Sequence, residues 1–150
     1  MSDIISKEKR SQNMSAIRNK DTKPEVFLRK LLFHHGFRYR KYSKIIPGHP
    51  DLWLKKYNTA VFINGCFWHR HKGCKYAYIP KSREDFWMKK FERNKERDIE
   101  VQQELRKQNR KCLVIWECTI KSIQKDKEKE EKLLNNITSF LSSKEMYKEL

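Results

Sequence analysis

Apolar side chains recur at helical spacing in three stretches of the chain. The first stretch follows a capping box formed by Thr22 and Glu25, in which each residue can satisfy a free backbone N–H of the first helical turn. The second and third stretches are rich in charged residues on their remaining positions, as expected for helices with one solvated face. The predicted helices cover about residues 23–35, 82–108 and 125–141.

Shorter apolar segments between these helices have the length and composition of strands. The predicted strands cover residues 37–42, 51–54, 59–63 and 112–116. A short polar turn joins the second strand to the third, so the two form a hairpin that places Asp51 beside Ile63. The order helix, three strands, helix, strand, helix predicts an α/β fold with a central mixed sheet flanked by helices.

The composition indicates a polyanionic partner. The chain of 150 residues fits one domain and carries 35 Lys and Arg against 19 Asp and Glu, a formal charge of +16. Such an excess favours nucleic acid, because phosphate contacts release counterions, although a charge that serves only solubility is the alternative. An anionic membrane is disfavoured, since no predicted helix has one basic face opposite a large apolar face.

The charge also suggests how the chain is divided. Residues 1–20 combine many cations with weak periodicity, which predicts a flexible arm that contacts DNA, followed by a single domain over residues 21–150. The N-terminus lacks the apolar segment of a signal peptide, and no apolar run reaches membrane-spanning length. We therefore expect a soluble cytoplasmic protein whose cysteines are thiols or metal ligands.

Sulfur and imidazole ligands are concentrated between Asn64 and Cys74. Thiolates and imidazole in a closed set of four suit a structural Zn²⁺ ion, and ordinary reduced thiols with surface histidines are the alternative. The remaining cysteine, Cys112, lies inside an apolar strand and is better explained as a buried core residue. The candidate ligands are Cys66, His71, Cys74 and, after the last predicted strand, Cys118.

Two further features allow both a functional and a structural interpretation. Asp51 opens a strand, where a carboxylate can bind Mg²⁺, but an aspartate after proline is often only a turn residue. Phe67, Trp68 and Trp87 could contact bases or belong to the core, to which Trp53 and Trp116 are assigned.

Several motifs together, spread over about residues 7–120, closely resemble the very-short-patch repair (Vsr) family of DNA mismatch endonucleases. The arm contributes Arg10-Ser11-x-Asn13-Met14-x-Ala16-Ile17, followed by Asp21-Thr22. The remaining motifs are Pro47-Gly48-x-Pro50-Asp51, Gly65-Cys66-Phe67-Trp68-His69-x-His71, Phe86-Trp87, Asn94-x-x-Arg97-Asp98 and Trp116-Glu117-Cys118. Their occurrence in one order is far more specific than any single motif.

The resemblance implies a restriction-endonuclease-like core with a structural zinc site. It also implies an activity: a nick in one strand on the 5′ side of the T in a T:G mismatch, which starts the repair of deaminated 5-methylcytosine. The substrate would be double-stranded DNA, the catalytic ion Mg²⁺, the active form a monomer, and mismatch-repair proteins would be partners.

The resemblance assigns roles to particular residues. Asp51 and the backbone carbonyl of Ile63 would bind Mg²⁺, His69 would activate the attacking water, and Glu25 would hold a water ligand of the ion or an adjacent group. The four zinc ligands would be the cysteines and histidine named above. The residues that wedge into the base stack would be Met14, Phe67, Trp68 and Trp87.

Two departures from the family pattern stand out. Asn64 occupies a position where a family member has histidine, so an acid that could assist the leaving group is replaced by an amide. The loop at Lys72 and Gly73 is one residue longer. Two alternatives to an endonuclease come from other functional classes. One is a noncatalytic zinc-stabilised module that binds distorted DNA, and the other is a basic RNA-binding protein.

Overall fold

The structure of the protein is a computed structural model that describes residues 20–150. Met14 and the predicted arm up to residue 19 lie outside the described residues. The elements are helix α1 (Lys23–His34), strands β1 (Arg40–Lys41) and β2 (Leu52–Leu54), a 3₁₀ turn (Lys55–Tyr57), strand β3 (Thr59–Asn64), helix α2 (Glu84–Lys107), strand β4 (Lys111–Trp116), helices α3 (Glu117–Ile123) and α4 (Lys127–Ser142), and strand β5 (Tyr147–Glu149).

The strands form one mixed five-stranded sheet in the order β1-β2-β3-β4-β5. The first three strands are antiparallel neighbours, as the hairpin prediction requires. Strands β3 and β4 are parallel, because the long helix α2 carries the chain back between them, and β5 is parallel to β4. The ends of β3 and β4 therefore meet at one edge of the sheet, together with the beginning of β2.

Alternate side chains of the strands enter two hydrophobic cores, one on each face of the sheet. Leu52, Leu113 and Ile115 pack on the face covered by α1, α3 and α4. Ala60 and Val114 pack on the opposite face, where Leu105 of α2 covers them. A sheet buried on both faces needs apolar residues at successive positions, which explains why β4 is apolar almost throughout.

Three predicted core residues of strands β2 and β4 also lie where the sequence indicates. Trp53, Cys112 and Trp116 are buried in the core beneath α2. The capping interaction at the start of α1 is present, since the Glu25 backbone N–H donates to Thr22 Oγ1 at 3.4 Å. No helix within residues 20–150 is both long and apolar enough to cross a membrane.

Three details differ from the prediction. The strand expected over residues 37–42 is reduced to Arg40 and Lys41, because Tyr42 adopts a left-handed backbone with φ of 51°. Helix α3 and strand β5 were not predicted. Both are short, and β5 has a polar, exposed pattern that resembles a loop in sequence.

Candidate active site and metal centre

The hairpin brings the carboxylate of Asp51 to the end of β3. Leu52 pairs with Val61 across the two antiparallel strands, so the preceding residue Asp51 lies opposite the last residues of β3. The Ile63 backbone N–H donates to Asp51 Oδ2 at 2.7 Å. The predicted proximity of these two residues is therefore present, and Asp51 is a half-buried strand-edge residue instead of a solvated turn aspartate.

The surroundings of Asp51 favour a cation. Burial raises the pKa of Asp51 to about 6, the Ile63 N–H opposes this rise, and the negative charge of Glu25 adds to it. The charge of His69 acts on Asp51 in the opposite direction, so Asp51, Glu25 and His69 lie close enough to interact. Two carboxylates and a main-chain carbonyl are hard oxygen donors of the kind that Mg²⁺ prefers.

Glu25 is only 5% exposed, and its carboxylate is held by two residues outside its helix. Its Oε2 atom accepts the Tyr42 hydroxyl at 2.6 Å and the Asp21 backbone N–H at 3.1 Å. In a capping box this carboxylate would accept the N–H of Thr22, the N-cap residue, but here it accepts the N–H of the residue before it. Glu25 thus begins the helix and also faces Asp51.

His69 is paired with an acid from helix α2. Its Nδ1 atom lies 2.7 Å from Asp98 Oδ2. An ionised carboxylate only accepts hydrogen bonds, so Nδ1 is the donor in this pair, and in the neutral form of the ring Nε2 is the proton acceptor. On the same helix, Asn94 Nδ2 donates to the Trp68 carbonyl at 3.1 Å and fixes the backbone that carries the imidazole.

A cavity of about 160 Å³ lies beside this pair, between α2 and the sheet. Asn64, His69, Arg97 and Asp98 are among the residues that line it. The structure therefore places Asn64, the residue that departs from the family pattern, in the same cavity as the candidate base.

The four predicted zinc ligands converge. One ligand atom from each of Cys66, His71, Cys74 and Cys118 lies within 4.8 Å of all the others. Ligand atoms around a tetrahedral zinc ion lie about 3.5 Å apart, so small side-chain movements would close this set around an ion. Three ligands come from the loop after β3 and Cys118 comes from the first turn of α3, which joins the loop to the helix.

Packing around the cluster fixes its histidine. The His71 ring stacks on Trp116 with centroids 4.1 Å apart and planes 6° from parallel. The Trp116 Nε1 atom donates to Glu149 Oε1 of β5 at 3.0 Å, so the last strand supports this stack. Burial raises the pKa of the Cys66 thiol to about 12.

Phe67, Trp68 and Trp87 belong to neither hydrophobic core. They form a separate, half-buried aromatic cluster in which Phe67 contacts Trp68 at 5.0 Å and Trp87 at 5.5 Å between ring centroids. Trp68 and Trp87 are 5.8 Å apart. The structure thus brings together the three predicted wedge residues that lie within residues 20–150. Two of them, Phe67 and Trp68, directly precede His69 in the sequence.

Arg70 holds the loop below this cluster. Its guanidinium donates to the carbonyls of Phe67, Ala77 and Tyr78 at 3.1, 2.7 and 3.0 Å. It also lies 3.9 Å from the ring centroid of Phe91. The loop after β3 therefore has two points of attachment. One is the group of candidate metal ligands, and the other is the set of hydrogen bonds that Arg70 donates.

Sequence reasoning gave no role to Asp98, Asn94, Arg70 or Tyr42. One signal was available for the first two, because positions 94 and 98 are four residues apart and so share a face of α2. Their partners lie in a loop about 25 to 30 residues away in sequence, which spacing alone does not identify.

A mixed sheet with helices on both faces, and a carboxylate and imidazole site at the strand ends, defines an α/β nuclease. The sequence pattern of the family described as DNA mismatch endonuclease Vsr matches residues 2–75. The chain belongs to the Vsr family and is a DNA endonuclease.

Individual relatives support this assignment over most of their length. The Type II nicking enzyme V.NmeAIP of Neisseria meningitidis serogroup A is 48% identical over 122 residues, which cover 81% of this chain and 86% of the relative. The Type II nicking enzyme V.XorIIP of Xanthomonas oryzae is 37% identical over 82% of this chain and 90% of the relative. The DNA mismatch endonuclease Vsr of Escherichia coli K12 is 36% identical over 83% of this chain and 80% of the relative. These relatives favour an endonuclease over a noncatalytic DNA-binding module or an RNA-binding protein.

Proposed function

We propose that the protein nicks one DNA strand on the 5′ side of the T in a T:G mismatch, in a Mg²⁺-dependent reaction that starts very-short-patch repair of deaminated 5-methylcytosine. One observation carries the proposal. The paired His69 and Asp98 lie at the sheet end that holds Asp51, and Phe67 and Trp68 of the aromatic cluster immediately precede His69. A base for water and a wedge for bases are therefore adjacent in the chain.

Asp51 and the carbonyl of Ile63 would hold Mg²⁺, with Glu25 nearby. The fit rests on hard oxygen donors and on a buried pair of carboxylates whose mutual repulsion a divalent cation would relieve. When bound, Mg²⁺ neutralises charge on the scissile phosphate and stabilises the leaving oxygen.

His69 would take a proton from the attacking water. Nε2 is the free acceptor, because Nδ1 is engaged with Asp98. As Nε2 gains the proton, the Asp98 carboxylate stabilises the resulting imidazolium and keeps the ring in one orientation. The main-chain contact from Asn94 limits movement of the loop during this step.

The aromatic cluster supports a preference for mismatched DNA. Inserting rings between base pairs costs a few kcal/mol per unstacked step, and a mispaired step costs less to open. Phe67, Trp68 and Trp87 would insert together, since they contact one another, with Met14 acting from the N-terminal arm. That arm, residues 1–20, would contact DNA ahead of the nuclease domain of residues 21–150.

We further propose that Cys66, His71, Cys74 and Cys118 bind a structural Zn²⁺ ion. Soft sulfur donors with one imidazole in a closed set favour this ion, and no position is left open for a substrate. The proposed working form is a cytoplasmic monomer that hands the nicked strand to mismatch-repair proteins.

A mismatch panel tests the function. Labelled duplexes that contain T:G, other mismatches or matched pairs are incubated with the protein in Mg²⁺ or in chelator, and products are sized on denaturing gels. We expect one nick, 5′ to the T of T:G, that requires Mg²⁺ and is lost in Asp51→Ala. If the T:G duplex stays intact with the wild-type protein in Mg²⁺, the proposed function is wrong.

The wedge is tested by replacing a ring that is not in either core. Trp68→Ala should lower the nicking rate on T:G about tenfold or more, while residual cleavage shows less preference for mismatched over matched DNA. Ile99→Ala, which removes an exposed apolar side chain elsewhere on the surface, is the matched control. Equal effects of the two substitutions would contradict the role of Trp68.

A further inference from the structure

Tyr42 contacts both acidic residues of the candidate site, the carboxylate of Glu25 and the backbone of Asp51. Its hydroxyl donates to Glu25 Oε2 at 2.6 Å, a short bond typical of a charged acceptor. Its backbone N–H donates to the Asp51 carbonyl at 3.3 Å. One residue therefore contacts a carboxylate on α1 and the backbone of the residue that leads into β2.

The contacts leave one oxygen of Glu25 available. Oε2 receives both the Tyr42 hydroxyl and the Asp21 N–H, and among residues 20–150 no protein donor contacts Oε1. Because Glu25 is buried and two donors hold its Oε2 atom, rotation of the carboxylate is restricted, and Oε1 keeps its capacity to accept.

The phenol is itself held in place. Arg29 Nη2 donates to Asp21 Oδ1 at 2.6 Å, and Arg29 Nη1 lies 3.5 Å from the Tyr42 oxygen. The Asp21 backbone N–H also lies 2.7 Å from that oxygen. A chain of hydrogen bonds thus runs from Arg29 through Asp21 and Tyr42 to Glu25 at the candidate site.

The backbone of Tyr42 is strained. Its φ of 51° lies in the left-handed region. This conformation is unfavourable for a bulky aromatic residue, and it persists only where surrounding contacts hold the backbone in place. Asparagine adopts this conformation more readily, so selection for stability alone does not explain a tyrosine here.

We propose that Tyr42 is a positioning residue that fixes Glu25 through its phenol and Asp51 through its backbone, so that the two carboxylates keep one relative geometry. The inference rests on the proposed function in assigning Glu25 and Asp51 to the Mg²⁺ site. It adds a residue to which the sequence motifs give no role.

The test compares Tyr42→Phe with wild type in the full chain. Single-turnover nicking of T:G duplex is measured at saturating protein across a Mg²⁺ series, and Mn²⁺ binding to the DNA-free protein is followed by electron paramagnetic resonance. We expect about a tenfold lower rate, a several-fold higher Mg²⁺ midpoint and weaker Mn²⁺ binding, with DNA affinity unchanged. Tyr39→Phe is the control, because no hydrogen bond of the Tyr39 hydroxyl occurs within residues 20–150.

Two further variants separate positioning from general stability. In a Glu25→Gln background, Tyr42→Phe should cause little additional loss, since its partner has already changed. Tyr42→Asn should lower the nicking rate without lowering the melting temperature, because it removes the phenol and relieves the backbone strain.

The outcomes distinguish the two claims. If wild type nicks DNA and Tyr42→Phe matches it in rate, Mg²⁺ midpoint and Mn²⁺ affinity, the positioning role is overturned and the proposed function stands. If wild type does not nick any mismatch but Tyr42→Phe still weakens Mn²⁺ binding, the positioning role stands and the proposed function fails.

Discussion

The ring nitrogens of His69 have different neighbours, and this difference determines what the residue can do. Nδ1 faces the Asp98 carboxylate at 2.7 Å, so its proton is fixed and Nε2 can accept another. Without Asp98, either nitrogen could carry the proton, and the imidazolium formed during attack would lose its nearest negative charge. In the proposed mechanism, Asp98 acts through His69 as a positioning residue.

Replacing this acid provides a direct prediction. Asp98→Asn should lower the single-turnover nicking rate about 10- to 1,000-fold while leaving DNA affinity within about twofold, because the amide neither stabilises the imidazolium nor selects the tautomer. Glu96→Gln makes the same chemical change at an exposed position of α2 and serves as the control. A loss of DNA affinity that accounts for the whole effect would contradict the role in proton transfer.

Asn64 gives a second prediction at this scale. Because it lines the cavity beside His69, Asn64→His would add a proton donor near the leaving oxygen. The nicking rate should rise several-fold near pH 6 and less near pH 8, since the new imidazole donates only when it is protonated, below a pKa of about 6.5. The same change at exposed Asn135 of α4 is the control, and an unchanged pH profile for Asn64→His would contradict the prediction.

The site illustrates what sequence alone supplies at the level of residues. The hairpin pattern was enough to predict that Asp51 meets Ile63, because antiparallel register follows from strand ends. The pairing of His69 with Asp98 was not predictable in this way. It depends on how α2 packs across the loop after β3, and that packing is set by the core beneath α2 and not by any local spacing.

Among the elements, long apolar patterns were predicted well and short polar ones were not. Strand β4 matches its predicted span because it is buried throughout, and helix α2 matches within a few residues because its apolar positions recur at helical spacing over 24 residues. Strand β5 was missed because only backbone pairing with β4 defines it, as in the bond from the Leu150 N–H to the Val114 carbonyl at 2.8 Å. Helix α3 is too short to show a periodicity.

The loop after β3 carries three of the four proposed zinc ligands, and the metal content of the protein can be measured. Wild-type protein should contain about one Zn²⁺ per chain by mass spectrometry, and Cys66→Ser should lose the ion and melt several degrees lower. Cys112→Ala is the control, because Cys112 is a buried core thiol that does not belong to the group of four candidate ligands. Equal metal content in Cys66→Ser and wild type would exclude Cys66 as a ligand.

At the scale of the whole molecule, the fold separates stability from chemistry. Both faces of the sheet are covered by helices, so the side chains that bind or react are confined to one end of the strands and the loop that follows β3. Three of the four candidate zinc ligands, Cys66, His71 and Cys74, belong to that loop together with Phe67, Trp68 and His69, while Cys118 on α3 and Trp87 on α2 meet it from neighbouring helices. Sequence analysis predicted this concentration correctly because the residues are adjacent in the chain.

The net charge of +16 makes a prediction for the molecule as a whole. Binding to DNA should weaken steeply with salt, with the logarithm of the association constant falling linearly against the logarithm of salt concentration. T:G and matched duplexes should share this slope and differ in offset, because phosphate contacts are common to both and wedging is not. Fluorescence anisotropy with catalytically inactive Asp51→Ala measures both quantities.

Individual cations should contribute according to their position. Arg97 lines the cavity beside His69. If it contacts one phosphate, Arg97→Ala should reduce the slope of log association constant against log salt by about 1 and should weaken binding to both duplexes. Lys132 is exposed on α4, which covers the opposite face of the sheet, and Lys132→Ala should leave the slope unchanged. Identical slopes for the two variants would mean that DNA does not approach through the end of the sheet where Asp51 and His69 lie.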